Sequence, residues 1–201
     1  MYWFHGLQAV LFLVAAFEIA RRVRVLLFEA ALDGRTFCAA LAPALQAGQL
    51  ALAARLARAC APAWPARLAS VAIEALCGDS SLADAREQID RTRFELEQDS
   101  AEGLAAIATF GRIAPPLAFI GIIVELGRAF GGGHGLLALK HGAAAQLALE
   151  RSVLSFALGL GTAIVCVAAA VLLRRRAREL REDLAQVART IELAHGAGAE
   201  M

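Results

Sequence analysis

Four polar side chains stand within or beside long apolar stretches of this sequence, and their types and spacing suggest ion chemistry. Glu125 and Glu150 are carboxylates, while Ser155 and Thr162 are hydroxyls. The two hydroxyls are seven residues apart, which places them on one face of a helix. Polar groups at membrane depth can hold water, and ionisable groups there are costly and usually functional. The four residues are therefore the candidates for a functional polar stretch within these apolar segments.

Each of these residues also has a purely structural interpretation. Glu125 lies three residues before Arg128, so an ion pair at the membrane interface is the simpler expectation for it. Serine and threonine in membrane helices often bond a backbone carbonyl or hold two helices together. His134 and His141 lack further nearby ligands for a metal, and no catalytic triad or dyad is recognisable. The sequence thus predicts no enzyme, no metal and no cofactor.

The composition indicates a protein whose surface faces lipid. Of the 201 residues, 59% are hydrophobic and 19% are charged, and the mean hydropathy is +0.58. Soluble domains carry about a quarter charged residues. The formal net charge of +1 provides no basic field, so nucleic acid is not an expected partner. The four cysteines are too few for a disulfide framework and are expected to be small buried residues.

Three stretches are predicted to cross the membrane. The clearest is 152–173, which has no charged residue and spans roughly 33 Å as a helix, enough for a bilayer core of about 30 Å. The first is 1–20, whose charges follow the apolar stretch and so argue against a signal peptide. The second is 113–130, which charged residues bracket closely. Arginine clusters follow the first and third spans, and both reach the cytoplasm if the N-terminus is outside.

The remaining segments are predicted to be helical. Residues 21–112 form a cytoplasmic helical region leading into span two, 131–151 form a short periplasmic connector, and 174–201 form a cytoplasmic C-terminal helix. Glycines and prolines, which end helices, divide 21–112 into predicted helices over Phe37–Ala47, Leu50–Cys60 and Ala66–Cys77. A capping box at Ser81–Asp84 opens a charged helix that is expected to continue unbroken into span two. The C-terminal helix carries an apolar seam formed by Leu180, Leu184, Val187 and Ile191.

Local motifs accompany this layout at the entry to the second span and within the third. The entry reads Gly103–Thr109, then Ile113–Leu117 with its two prolines, then Gly121. The third span contains Gly159 within Ser155–Ile164. Layout and motifs together resemble the MotA/TolQ/ExbB proton-channel family, most closely its TolQ/ExbB branch, over nearly the whole chain.

The resemblance implies an all-α membrane protein with three transmembrane helices and long cytoplasmic helical extensions. It also implies a homopentamer in the lipid bilayer of the bacterial inner membrane, surrounding a single-span partner of the ExbD/TolR type whose aspartate carries protons. The implied function is that of the proton-channel or stator subunit of an energy-transducing complex driven by the proton-motive force. The N-terminus would be periplasmic and the C-terminus cytoplasmic.

The sequence departs from the family where threonines are usual. Ile122 follows Gly121 in place of the threonine of span two. In span three, a register anchored on Gly159 puts Arg151 and Phe156 at the family's glutamate and threonine positions. This register leaves the lumen without its polar groups, and it favours an alternative function as a non-conducting structural scaffold.

A second register, shifted by one residue, retains both polar groups. It places Glu150 and Ser155 at the glutamate and threonine positions and displaces the glycine. We favour this register slightly, because a carboxylate five residues from a hydroxyl suits a proton path. Glu125, Glu150, Ser155 and Thr162 are therefore the predicted ion-pathway residues.

Overall fold

The structure, a computed structural model, describes residues 3–30, 32–78, 82–131 and 142–199, and all regular structure in these ranges is helical. Residues 132–141 of the predicted connector, with His134 and His141, lie outside the described residues, as does Ser81. The helices are α1 (Trp3–Val23), followed by a π-helical segment (Arg24–Glu29), α2 (Gly34–Gln46), α3 (Leu50–Ala59), α4 (Trp64–Cys77), α5 (Leu82–Ala101), α6 (Leu104–Gly131) and α7 (Gly142–Ala199). The prediction of an all-α protein is confirmed.

The chain divides into two compact units. Unit 1 comprises Met1–Arg21 and Gly103–Leu172, and it contains most of α1, α6 and the first part of α7. Unit 2 comprises Arg22–Glu102 and Leu173–Met201, and it contains α2 to α5 and the remainder of α7.

Two helical stretches of the described chain are long and apolar enough to cross a membrane, judged by length and composition. They lie within Ala83–Gly127 and Leu149–Ala194. Only 28% and 33% of their most apolar windows are buried inside the chain. The core helix of a soluble protein would be mostly buried, so this exposure favours lipid or other chains as the surroundings. Helix α1 is not one of the two, and its membrane crossing stays a prediction.

Within unit 1, α6 and α7 pack closely through small residues. A Cβ added to Gly159 would clash with Ala118 Cβ and would lie 2.9 Å from the carbonyl oxygen of Ala114. A Cβ added to Gly111 would lie 3.1 Å from Cys166 Cβ. Because each step forward along α6 is matched by an equal step backward along α7, the two helices are antiparallel. Small residues allow this approach of two backbones, as is common between membrane helices.

Unit 2 is a helical block whose boundaries the sequence predicts to within a few residues. Helix α4 packs against both α3 and α5. The side chains of Leu41, Leu68 and Ile73 are fully buried. The apolar seam of α7 is buried as expected: Leu180, Leu184, Val187 and Ile191 are at most 1% exposed. Of the cysteines in this unit, Cys38 is buried as expected, whereas Cys60 is half-buried and Cys77 is exposed.

The predicted unbroken helix from the charged segment into span two is wrong. Helix α5 ends at Ala101 and α6 begins at Leu104. Gly103 lies between them with φ of 72°, a left-handed conformation that only glycine adopts without strain. In unit 2 the buried Arg22 guanidinium donates to the carbonyl of Asp99 over 3.1 Å and pairs with Glu102 over 3.0 Å. These contacts stabilise the chain just before the break.

Candidate functional site

A cluster of polar side chains lies inside unit 1, between α1 and α7. The Nδ1 atom of His5 is 3.3 Å from the Ser155 hydroxyl. One turn further along α1, the Gln8 amide nitrogen donates to the Ser155 backbone carbonyl over 3.4 Å. Ser152 occupies α7 one turn before Ser155, on the same helix face. We call His5, Gln8, Ser152 and Ser155 the polar cluster.

Three of the four side chains in the cluster are buried, His5 is half-buried, and several atoms lack a protein partner. Ser155 is 0% exposed, Gln8 is 4% exposed and Ser152 is 6% exposed. Among the described residues, His5 Nε2, Gln8 Oε1 and Ser152 Oγ have no hydrogen-bond partner. Buried polar atoms are nearly always hydrogen-bonded, so these three atoms mark a site that can accept a small polar ligand.

Glu125 lies at the level of this cluster. It is seven residues after Ala118 on α6, and Ser152 is seven residues before Gly159 on α7, so the antiparallel register sets Glu125 level with Ser152. The Glu125 side chain is buried. Its predicted pairing with Arg128 involves a side chain outside the described residues.

The structure does not bring Glu150 and Ser155 together. Glu150 is exposed and accepts a hydrogen bond from Gln146 over 3.3 Å, whereas Ser155 faces α1. Five residues correspond to roughly 140° around an α-helix, so the two side chains lie on different faces. Phe156, from the other register, is 53% exposed and faces away from the helices of its own chain.

The structure also describes Thr162, a predicted pathway residue, and Ile122, which replaces the threonine of span two. The Thr162 hydroxyl is buried and donates to the Leu158 carbonyl of its own helix over 2.7 Å. This is the structural role common for threonine in membrane helices. Ile122 is half-buried on α6. The ion-pathway roles of Glu125, Glu150, Ser155 and Thr162 stay predictions, with Ser155 inside the polar cluster.

Sequence reasoning missed three members of the polar cluster. It singles out carboxylates and hydroxyls in or beside the second and third spans, and it leaves out His5 and Gln8 of α1 and Ser152 of α7. A local signal was present, because His5 and Gln8 have the same spacing of three residues as Ser152 and Ser155. Two polar pairs at i, i+3 on separate apolar helices predict one polar face on each.

Unit 2 contains a charged cavity of about 730 Å³ between the start of α2 and the C-terminal part of α7. Its charged lining residues are Asp33, Arg35, Arg176, Glu179, Glu182, Asp183 and Arg189. The four acidic and three basic side chains nearly balance, so the cavity carries no strong preference for ions of one sign.

Local contacts shift the pKa values of three carboxylates at this cavity, and that of Glu179 is lowered, first by the hydrogen bond from Arg176. Burial raises the pKa of Asp183, an effect that the nearby Arg176 guanidinium opposes. The pKa of Asp33 is lowered, first by the hydrogen bond from the Thr36 hydroxyl and then by the Arg35 backbone N–H, which donates over 3.1 Å. Asp33 therefore acts as the ionised N-cap of α2.

Comparisons with known proteins assign neither a family nor a function to the chain. Neither a protein-family model nor a curated protein matches the chain. Within the described residues, no three His, Cys, Asp or Glu side chains are grouped to hold a metal ion.

Proposed function

We propose that this protein is the proton-channel or stator subunit of an inner-membrane complex that uses the proton-motive force, similar to TolQ and ExbB. Five copies would surround the membrane helix of a single-span partner of the ExbD/TolR type. Helices α1, α6 and α7 would each cross the bilayer, with the N-terminus periplasmic and the C-terminus cytoplasmic.

The observation that carries this proposal is the polar cluster buried between apolar helices. Ser155 is in contact with His5 and Gln8, and Glu125 is buried at the level of Ser152. Polar and ionisable groups in such a setting are costly, and they are retained where ions or protons pass.

The exposed apolar surface of the two long helices supports an oligomer in lipid. Side chains such as Phe119, Ile164 and Leu172 are 60–67% exposed in the single chain. A surface of this kind is unfavourable in water, whereas it packs well against lipid tails and neighbouring helices. Five copies of the chain would enclose a lumen with part of this surface and present the rest to lipid.

A non-conducting scaffold is the second candidate, and Thr162 is the observation that favours it. Its hydroxyl is bonded within its own helix, so it is occupied without any water or ion. Ile122 and Phe156 would then line or flank a dry lumen. The scaffold would organise a membrane complex without using the gradient.

Proton uptake into vesicles separates the two functions. Membranes from the native host, which supply the partner, are made into vesicles and energised with a potassium diffusion potential. We expect Ser155→Ala combined with Glu125→Gln to abolish partner-dependent uptake without changing assembly. Thr109→Val is the matched control, because its exposed hydroxyl only bonds the Ala105 carbonyl of the same helix. Undiminished uptake in the double variant would refute this pathway, and no uptake in the wild type would favour the scaffold.

A further inference from the structure

We infer that the helices of a single chain bind water between His5, Gln8 and Ser152, and that His5 exchanges protons with this water. The inference deepens the proposed function and rests on it for the placement of α1 and α7 in the bilayer. It concerns one chain alone, because all the residues involved belong to unit 1.

The unpartnered atoms of the cluster indicate a bound ligand. Gln8 and Ser152 are each more than nine-tenths buried, and Gln8 Oε1 and Ser152 Oγ lack a partner among the described residues. His5 is half-buried, and its Nε2 atom also lacks a partner among the described residues. Leaving such atoms dry among apolar helices is unfavourable, and proteins satisfy them with ordered water that makes two to four hydrogen bonds.

The donor and acceptor types of these atoms suit water. The Gln8 amide cannot be reversed, because its nitrogen donates to the Ser155 carbonyl, which only accepts. Gln8 Oε1 is therefore an acceptor, the Ser152 hydroxyl can donate or accept, and His5 Nε2 does either according to its tautomer. Water both donates and accepts, so it can satisfy atoms of each of these types.

His5 is the group through which this water can exchange protons. Its Nδ1 is 3.3 Å from the Ser155 hydroxyl, and its Nε2 is left for water. An imidazole placed in this way can take up a proton at one nitrogen and release one from the other. Among the described side chains, the ionisable groups near this level are Glu125 on α6 and Glu150 and Arg151 on α7, of which Glu150 is exposed.

Solid-state NMR of the full chain in vesicles of phosphatidylethanolamine and phosphatidylglycerol tests the site. The protein carries ¹⁵N-labelled histidine, and magnetisation is transferred from mobile water to the imidazole nitrogens. The His5 signal is identified by its absence in His5→Gln. We expect it at short transfer times in the wild type and in Thr109→Val. We expect its loss when Gln8→Leu and Ser152→Ala are combined, or with Ser152→Ala alone if the pair does not fold.

Several outcomes would overturn the inference. A wild-type His5 signal that stays absent at short transfer times would mean a dry cluster, and an unchanged signal in the variants would mean that other groups hold the water. A shift of the His5 signal when sodium replaces potassium would identify a cation as the ligand instead of water. The experiment needs no partner and no gradient. A hydrated His5 in a chain that takes up no protons would therefore sustain this site while refuting the proposed function.

Discussion

Replacing Gly159 by alanine should weaken the packing of α6 against α7. The new Cβ would clash with Ala118 Cβ and lie 2.9 Å from the Ala114 carbonyl oxygen. Gly161 is the matched control, because a Cβ there meets nothing within 4 Å. Both substitutions gain the same helix propensity, about 0.5–1 kcal/mol in water, so this contribution cancels between them.

The difference between the two variants therefore measures the steric cost alone. Overpacking of a close contact costs about 1–3 kcal/mol, so Gly159→Ala should be less stable than Gly161→Ala by that amount. Adding Ala118→Gly should restore part of the loss, since the contact with the Ala114 carbonyl remains. The free energy of unfolding is measured by circular dichroism during titration of mixed micelles with denaturing detergent. Equal stability of the two alanine variants would refute the close crossing, and with it the register that sets Glu125 level with Ser152.

Two further predictions concern unit 2. Burial raises the pKa of Asp183, so the ionised carboxylate destabilises the folded protein at pH values above that raised pKa. Below the ordinary value of 3.8 the carboxyl group is protonated in both the folded and the unfolded chain, and the destabilisation is absent. Asp183→Asn should therefore raise the thermal midpoint at pH 7 and lose this gain near pH 3.5, and a gain of equal size at both pH values would contradict the burial of the carboxylate. Cys77 is exposed, whereas burial both shields Cys38 and raises the pKa of its thiol. A membrane-impermeant maleimide should label the chain in inside-out vesicles, and Cys77→Ser should remove the fastest labelling; equal labelling of right-side-out vesicles would contradict a cytoplasmic unit 2.

The sequence predicts the helices of unit 2 well because their signals are local. Helix α3 was expected over Leu50–Cys60 and is found at Leu50–Ala59. The seam from Leu180 to Ile191 is buried as its spacing indicates. In both cases neighbouring residues in the chain decide the outcome. The sequence does not predict the break at Gly103, because it does not show whether a glycine adopts the positive φ of a break or the negative φ of a helix interior.

The candidate site was predicted only in part, because its contacts are long-range. Ser155 was singled out from its own helix, but its contacts with His5 and Gln8 join residues about 150 positions apart. Periodicity within one helix does not reveal which other helix its polar face meets. The register that retains Glu150 and Ser155 depends on their linear spacing of five residues, and the rotation of the helix over five residues puts the two side chains on different faces.

Native mass spectrometry of the complex, purified gently from its own host, tests the central claim of an oligomeric transducer subunit. The account predicts five copies of this chain together with a smaller number of a small single-span protein. That composition would establish the assembly and identify the partner. Five copies alone would favour the scaffold, and a monomer or dimer would contradict the proposed function.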